Sequence, residues 1–236
     1  MITSFKYLRQ PKAALALLCL LAGTSVPTAQ AADPTVGLDA FIARALQDSQ
    51  VPGIAVAIVS RDRVVYSKGF GVQGLKTKKP VTADTLFEIG SMSKAFTSTA
   101  IAMLTDAGQV KWDDSAASRV KDFQLADTQL TREVSIRDLV SHRTGVANDN
   151  LVFWGSGLNT SELIQRAKYL PIHSPIRTKF EYNNLLFALA GEVIPNATGI
   201  SWSEFVRKRI FSPLGMHSSY ATLPGFRKEP SCRMGI

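Results

Sequence analysis

Strand-forming segments cluster early in this chain, and that distribution limits the architecture more than any other feature. Ile54 to Val59 is a short apolar run bounded by Pro52-Gly53 and Arg61-Asp62, and Val64-Val65-Tyr66 follows it. Two such runs on either side of a tight turn read as an antiparallel hairpin. Beyond the turn-rich stretch from Gly69 to Pro80, apolar residues recur mostly at helical spacing, with few later strand candidates. A lone hairpin is marginally stable in water, and a sheet usually needs three or more strands. The pattern therefore reads as a sheet packed against helices, in a fold left unfinished at its C-terminal end.

The helices follow from periodicity and caps. Leu38, Phe41, Ile42, Ala45 and Leu46 predict an amphipathic helix over about 37–48. From Ser91 onward, Met92, Ala95, Phe96, Ala100, Met103 and Leu104 can share one broad buried face, which Gly108 ends. Ser135 to Ser141 reads as a short helix running into a His142-Arg143-Thr144-Gly145 turn. Leu185 to Ile194 is an apolar helix, which Pro195 is expected to stop at Ile194. Ser201-Trp202-Ser203-Glu204 fits a capping box and opens a helix carrying Phe205, Val206 and Ile210. Pro213-Leu214-Gly215 closes that helix, and the stretch from Pro224 to Ile236 has no pattern.

Composition sets the class and the compartment. With 236 residues, 45% hydrophobic and 19% charged, the chain is globular and can bury a sizeable core. Its first 31 residues carry Lys6, Arg9 and Lys12 and no acid, so removing them lowers the net charge from +8 to +5. That basic start, the apolar run Ala13 to Gly23 and the Ala29-Gln30-Ala31 pattern make residues 1–31 a signal peptide, cleaved before Ala32. The other reading is an uncleaved anchor, but the apolar run is about half of the ~20 residues a spanning helix needs. The expectation is a periplasmic or secreted protein without stable membrane insertion after cleavage. Only Cys232 then remains, since Cys19 lies in the leader, so no internal disulfide can form. His142, His173 and His217 are far apart and show no zinc spacing, and no metal or other cofactor is expected. The basic residues form no stripe with interleaved aromatics, which excludes nucleic acid as a partner, and Arg207-Lys208-Arg209 reads as a solvated helix face.

Chemistry enters at Ser91-Met92-Ser93-Lys94. On a helix, positions i and i+3 lie on one face about 5–6 Å apart at Cβ, so an amine stands beside the hydroxyl. A serine hydroxyl is a weak nucleophile until a base takes its proton. A helix N-terminus adds free N–H groups and the positive dipole end, and Gly90 permits close backbone approach. The competing reading makes Ser91 an N-cap. A second S-x-x-K, Ser118 to Lys121, lacks the strand-then-glycine entry, and Lys121 reads as a surface charge. Tyr182-Asn183-Asn184 is the chain's single Y-x-N. A phenol near the lysine can relay a proton, and an asparagine can orient the lysine or bind a substrate amide. The alternative is a buried tyrosine with Asn184 capping the next helix.

Four segments, in order, carry a family resemblance. Phe87 to Thr97 resembles the nucleophile segment of class C β-lactamases, serine DD-peptidases and related esterases. Leu139 to Val146 resembles their "LLSHTSGL" turn. Phe180 to Asn184, followed by Ala190 to Ile194, resembles their Y-x-N segment and its helix. Phe211 to Met216 resembles their "PLGM" helix end. The resemblance to the serine β-lactamase and penicillin-binding family implies an α+β fold, an antiparallel sheet flanked by helices with a mostly helical subdomain. It implies Ser91 as nucleophile, Lys94 as base, Tyr182 as proton relay and Asn184 as a substrate- or lysine-positioning group. The Ser91 N–H would be half of an oxyanion hole. The substrate would be a small molecule or peptide: a β-lactam, a D-Ala-D-Ala peptide or an ester. The family's third element, K-T-G or H-x-G on a strand beyond "PLGM", is missing, and Arg143-Thr144-Gly145 precedes Tyr182 and cannot replace it. Residues 32–236 thus read as the N-terminal part of such a domain, a truncated or frameshifted copy. The alternative function is a non-catalytic, penicillin-binding-like periplasmic protein.

Overall fold

The computed structural model describes residues 35–76, 78–148 and 157–222. The expected signal peptide, both cysteines and the tail after Gly225 lie outside the described residues.

Strands β1 (Gly53–Ser60) and β2 (Arg63–Gly71) form the expected antiparallel hairpin, turning at Arg61, whose φ is +56°. A bulge between Ile58 and Val59 shifts the register. These are the only strands paired into a sheet among the described residues. Much of the hairpin's apolar surface stays exposed, including Ile54, Val59, Val64 and Val65. Helix α1 (Leu38–Ser49) leans on β2, where Asp39 accepts hydrogen bonds from Tyr66 and Lys68. Burial, then the bond to the Asp39 carboxylate, pushes the Tyr66 phenol up to about 12. Of the α1 stripe, Ile42 alone is buried, and Phe41 is 62% exposed.

The core lies among the helices. Helix α2 (Ser93–Asp106) runs through it and buries Thr97, Ala100, Ile101 and Leu104. This corrects the expected face: Met92 is 70% exposed and Ala95 is also exposed. Met92 belongs to a 3-10 turn, Gly90–Met92, that precedes α2 and sets it out of phase with the helix. Around α2 stand α3 (Ala116–Arg119), α4 (Thr128–Glu133), α5 (Ile136–Val140), α6 (Thr160–Arg166), α7 (Asn184–Gly191), α8 (Val193–Thr198) and α9 (Trp202–Val206). Fully buried side chains from α5, α7, α8 and α9, among them Ile136, Leu139, Leu189, Val193 and Val206, share one core cluster with Ile101. The result is α+β, with a small antiparallel sheet beside a helical body.

Two helix ends differ from expectation. Pro195 does not stop the apolar helix; the break falls at Glu192, and Pro195 sits in the first turn of α8. There a missing N–H costs little, and α8 continues to Gly199, whose φ of +75° ends it. At α9, the Ser201 side chain accepts the Glu204 N–H, yet the Glu204 carboxylate turns to Lys208 at 2.6 Å and leaves the capping box half made. The chain then winds into a π-helical turn, Arg207–Phe211, whose three basic side chains are exposed as expected.

One buried charge braces the body. Asp138 on α5 is 1% exposed and closes a capping box with Ser135. It also accepts two bonds from Arg177, at 3.1 Å from Nε and 2.8 Å from Nη2. Burial drives the Asp138 carboxyl up, but the Arg177 and Ser135 bonds outweigh it and hold the group below its ordinary value. Removing one member of a buried pair costs roughly 3–5 kcal/mol. Because Arg177 is partly solvated, we expect Asp138→Ala to lose about 3 kcal/mol in urea unfolding at pH 7. A lowered carboxyl stabilises above its unfolded value and loses that contribution as pH falls through its folded value. The gap between the two proteins should therefore narrow below about pH 4.

Candidate active site

Ser91 lies inside the 3-10 turn that leads into α2, not at an N-cap; the cap residues there are Ile89 and Met92. Gly90, at φ +50°, makes the turn. A Cβ at Gly90 would meet open space, so backbone conformation rather than crowding calls for glycine there. At the second residue of α2, Lys94 Nζ donates to Ser91 Oγ at 3.0 Å and to Asn184 Oδ1 at 2.7 Å. Ser91 Oγ is also 2.5 Å from the Tyr182 hydroxyl. All four residues singled out in the sequence, Ser91, Lys94, Tyr182 and Asn184, meet at one point. The second S-x-x-K does not join them: Ser118 Oγ bonds the Ser115 carbonyl, and Lys121 is exposed.

Tyr182 comes from a loop pinned to the 142–147 turn. Gly145, at φ +76°, lies so close to Ser174 that a Cβ would stand 2.0 Å from the Ser174 carbonyl oxygen. The Gly145 carbonyl accepts the His173 N–H at 2.9 Å, and the Arg143 carbonyl accepts the Arg177 N–H at 2.7 Å. Arg143-Thr144-Gly145 is thus a structural corner, with Thr144 1% exposed. The His142 carbonyl accepts the Glu181 N–H at 2.8 Å, and His142 Nδ1 accepts the Asn183 N–H at 3.2 Å. Asn183, 2% exposed, donates to the Ala147 carbonyl at 2.8 Å and caps α7 by accepting the Leu186 N–H at 2.9 Å. The α7 cap is therefore Asn183, and Asn184 faces Lys94. Sequence reasoning passed over Asn183, although an asparagine directly before an apolar helix is a cap signal.

Electrostatics favour an ionisable phenol. Burial pulls the Tyr182 hydroxyl up, but hydrogen bonds with Lys94 and Ser91 and the Lys94 charge win, leaving it below its ordinary value. Lys94 Nζ also lies 4.6 Å from the Tyr182 ring centroid. A cavity of about 510 Å³ opens beside Ser91 and Lys94, walled by Phe187 and Trp202 and including Glu192. Burial pushes the Glu192 carboxyl up, a feature not read from the sequence. No group of three or more metal-ligating side chains occurs among the described residues, and none of their helices is long and apolar enough to cross a membrane.

A polar cluster of serine, lysine, tyrosine and asparagine at the mouth of a helical body is the arrangement the four sequence segments implied. Residues 38–231 match the family model described as Beta-lactamase. The chain belongs to the beta-lactamase family. Unguisins hydrolase ungD' of Aspergillus campestris is 33% identical over 186 residues, covering 75% of this chain and 34% of that protein. Penicillin-binding protein 4 of Amycolatopsis lactamdurans is 33% identical over 178 residues, covering 75% and 46%. Among solved structures, the octameric penicillin-binding protein homologue from Pyrococcus abyssi matches with a TM-score of 0.73 at 28% identity, over 84% of this chain and 47% of that one. A class C beta-lactamase matches with a TM-score of 0.69 at 26% identity, over 80% and 51%. The chain spans roughly a third to a half of the length of these family members.

The Tyr182 contacts make a direct prediction. In protein carrying 13C at tyrosine Cζ, the resonance lost in Tyr182→Phe should titrate below the ordinary phenol value. In Lys94→Met it should move up, because burial then acts with less opposition. An unmoved titration would contradict the assignment of Lys94 as its cause.

Proposed function

We propose that this member of the beta-lactamase family is a serine hydrolase that works through an acyl-enzyme on Ser91. What supports the reading is one contact set: a single serine oxygen in hydrogen-bond reach of both Lys94 and Tyr182. Lys94 donates to Ser91 Oγ, so the serine's own hydrogen is left for Tyr182. On attack, Ser91 Oγ bonds to the carbonyl carbon. Its proton crosses to Tyr182, acting as the phenolate that the Lys94 ammonium stabilises, while the π electrons move to the carbonyl oxygen. The Ser91 N–H would donate to that oxyanion, as half of an oxyanion hole. Collapse breaks the bond to the leaving nitrogen or oxygen, which takes the proton back through Tyr182. Water then releases the acyl group by the reverse proton path. Asn184 Oδ1 holds Lys94 in line and stands at the edge of the cavity, where it can also meet a substrate amide.

The substrate class is a β-lactam, a D-Ala-D-Ala peptide or an ester. One relative is named for hydrolysing unguisins and another for binding penicillin, and both names fit an acylated serine. Export to the periplasm or beyond, with residues 1–31 as leader and 32–236 as the N-terminal part of the domain, belongs to the same proposal. A second reading is a penicillin-binding-like protein that is acylated on Ser91 without turnover, in line with the relative named for binding penicillin.

Purified protein separates the readings when assayed with a chromogenic cephalosporin and with p-nitrophenyl esters, beside Ser91→Ala. The first reading expects hydrolysis of at least one substrate, abolished in Ser91→Ala, and on the order of 10²–10⁴-fold slower in Tyr182→Phe. Hydrolysis that survives in Ser91→Ala would overturn it. No turnover, with a stable Ser91-dependent penicillin adduct, would select the second reading.

A further inference from the structure

One buried ionisable group in the site has no part in the proton path above. The His142 ring is 7% exposed and carries a left-handed backbone, φ +58°. Nδ1 accepts the Asn183 N–H, so in the neutral ring the hydrogen sits on Nε2. The imidazole lies against Tyr182, with centroids 4.5 Å apart and planes 39° apart. Phe187 is 5.3 Å away and Phe180 meets the ring edge-on at 5.4 Å. Lys94 Nζ touches two of the same rings, 4.6 Å from the Tyr182 centroid and 5.5 Å from that of Phe187. The phenol is therefore held between an ammonium and an imidazole, and the peptide after it is hydrogen-bonded to that same imidazole.

We propose that His142 is the positioning residue of the Tyr182 phenol and acts only as the neutral imidazole, its ring fixing the face of Tyr182 and its Nδ1 fixing the peptide that follows. The proposal rests on the role assigned to Tyr182 in acyl transfer. The charge that bears on His142 is that of Lys94, from α2; Tyr182 stacks on the ring, Glu181 meets the residue through a backbone hydrogen bond, Arg143 is its chain neighbour, and Asp138 lies on α5. Asp138 is already held by Arg177. Burial, then the Lys94 charge, keeps the imidazole below its ordinary value. Protonation would therefore cost twice: Nδ1 would lose its lone pair to a proton, releasing the Asn183 N–H, and a second cation would face Lys94. Either change lets the loop carry Tyr182 away from Ser91. Mutating His142 should act on the phenol rather than on the fold at large.

The test uses the full chain with 13C at tyrosine Cζ and with the His142 C2–H signal assigned. In the wild type, the Tyr182 resonance should show an acid-side inflection that tracks His142 protonation, besides its own titration. Tyr66, which titrates on the far side of the ordinary range, should show none. In His142→Asn, which keeps an oxygen for the Asn183 N–H and tolerates positive φ, the inflection should vanish. The Tyr182 titration should also move upward. His142→Phe keeps a ring but no acceptor, and should give a smaller upward move. A wild-type Tyr182 signal indifferent to His142 protonation overturns the proposal, and this readout needs no variant to fold. A folded His142→Asn protein with an unmoved Tyr182 titration overturns it as well. Ser91 labelling by a fluorescent penicillin should fall 10-fold or more in His142→Asn, on the order expected for a displaced proton-transfer group. If the wild type takes no label, penicillin fails as its acyl donor, while the tyrosine titration still decides the role of His142.

Discussion

Everything functional in this chain converges on the ammonium of Lys94. A lysine drawn partly out of water must find acceptors, and here it finds Ser91 Oγ at 3.0 Å and Asn184 Oδ1 at 2.7 Å. The bond to Asn184 ties the first turn of α2 to the first residue of α7, 90 positions away in the chain. The same ammonium lowers the Tyr182 phenol and faces the aromatic pair Tyr182 and Phe187. Without the lysine, the serine would keep only its contact with Tyr182, and burial would lift the phenol with less opposition.

The rest of the helical body serves to bring the second half of this constellation to the first. Tyr182 is carried on a loop with no regular structure, and such a segment keeps its aim only if its backbone is bonded elsewhere. Here it is bonded repeatedly to a single corner. Gly145, pressed against Ser174, Arg143 bonded to Arg177, and His142 bonded to Glu181 and Asn183 form a ladder of long-range contacts. Asp138 anchors the foot of that ladder by joining the α5 cap to Arg177. The charge is thus spent on geometry, since a buried pair of this kind contributes little net stability over apolar replacements.

How far the sequence could be read depends on the range of each interaction. Ser91 and Lys94 are one turn apart, so their meeting follows from helical spacing alone. The meeting of Tyr182 and Asn184 with them could not follow from spacing; it came from the order of four family segments. The hairpin and the helix at 136–140 carried strong local signals and appear where expected. The brace of Asp138 and Arg177 spans 39 residues, and nothing near either residue announces the other. The His142 bond to Asn183 spans 41 residues and was likewise invisible. Three local readings failed for local reasons. Met92 fell in a 3-10 turn, so its phase did not match that of α2. Pro195 fell in a first turn, where its missing N–H does no harm. Glu204 found Lys208 a better partner than its own cap.

The central claim is that position 91 carries the reacting oxygen because the Lys94 and Tyr182 contacts activate it. Peptide mapping by mass spectrometry after brief exposure to an activated acyl donor examines this most directly. The account predicts one stoichiometric adduct, on the peptide holding Ser91, that disappears when Lys94 is replaced by methionine. Acylation spread over surface lysines, or an adduct at position 91 that forms equally fast without Lys94, would contradict it.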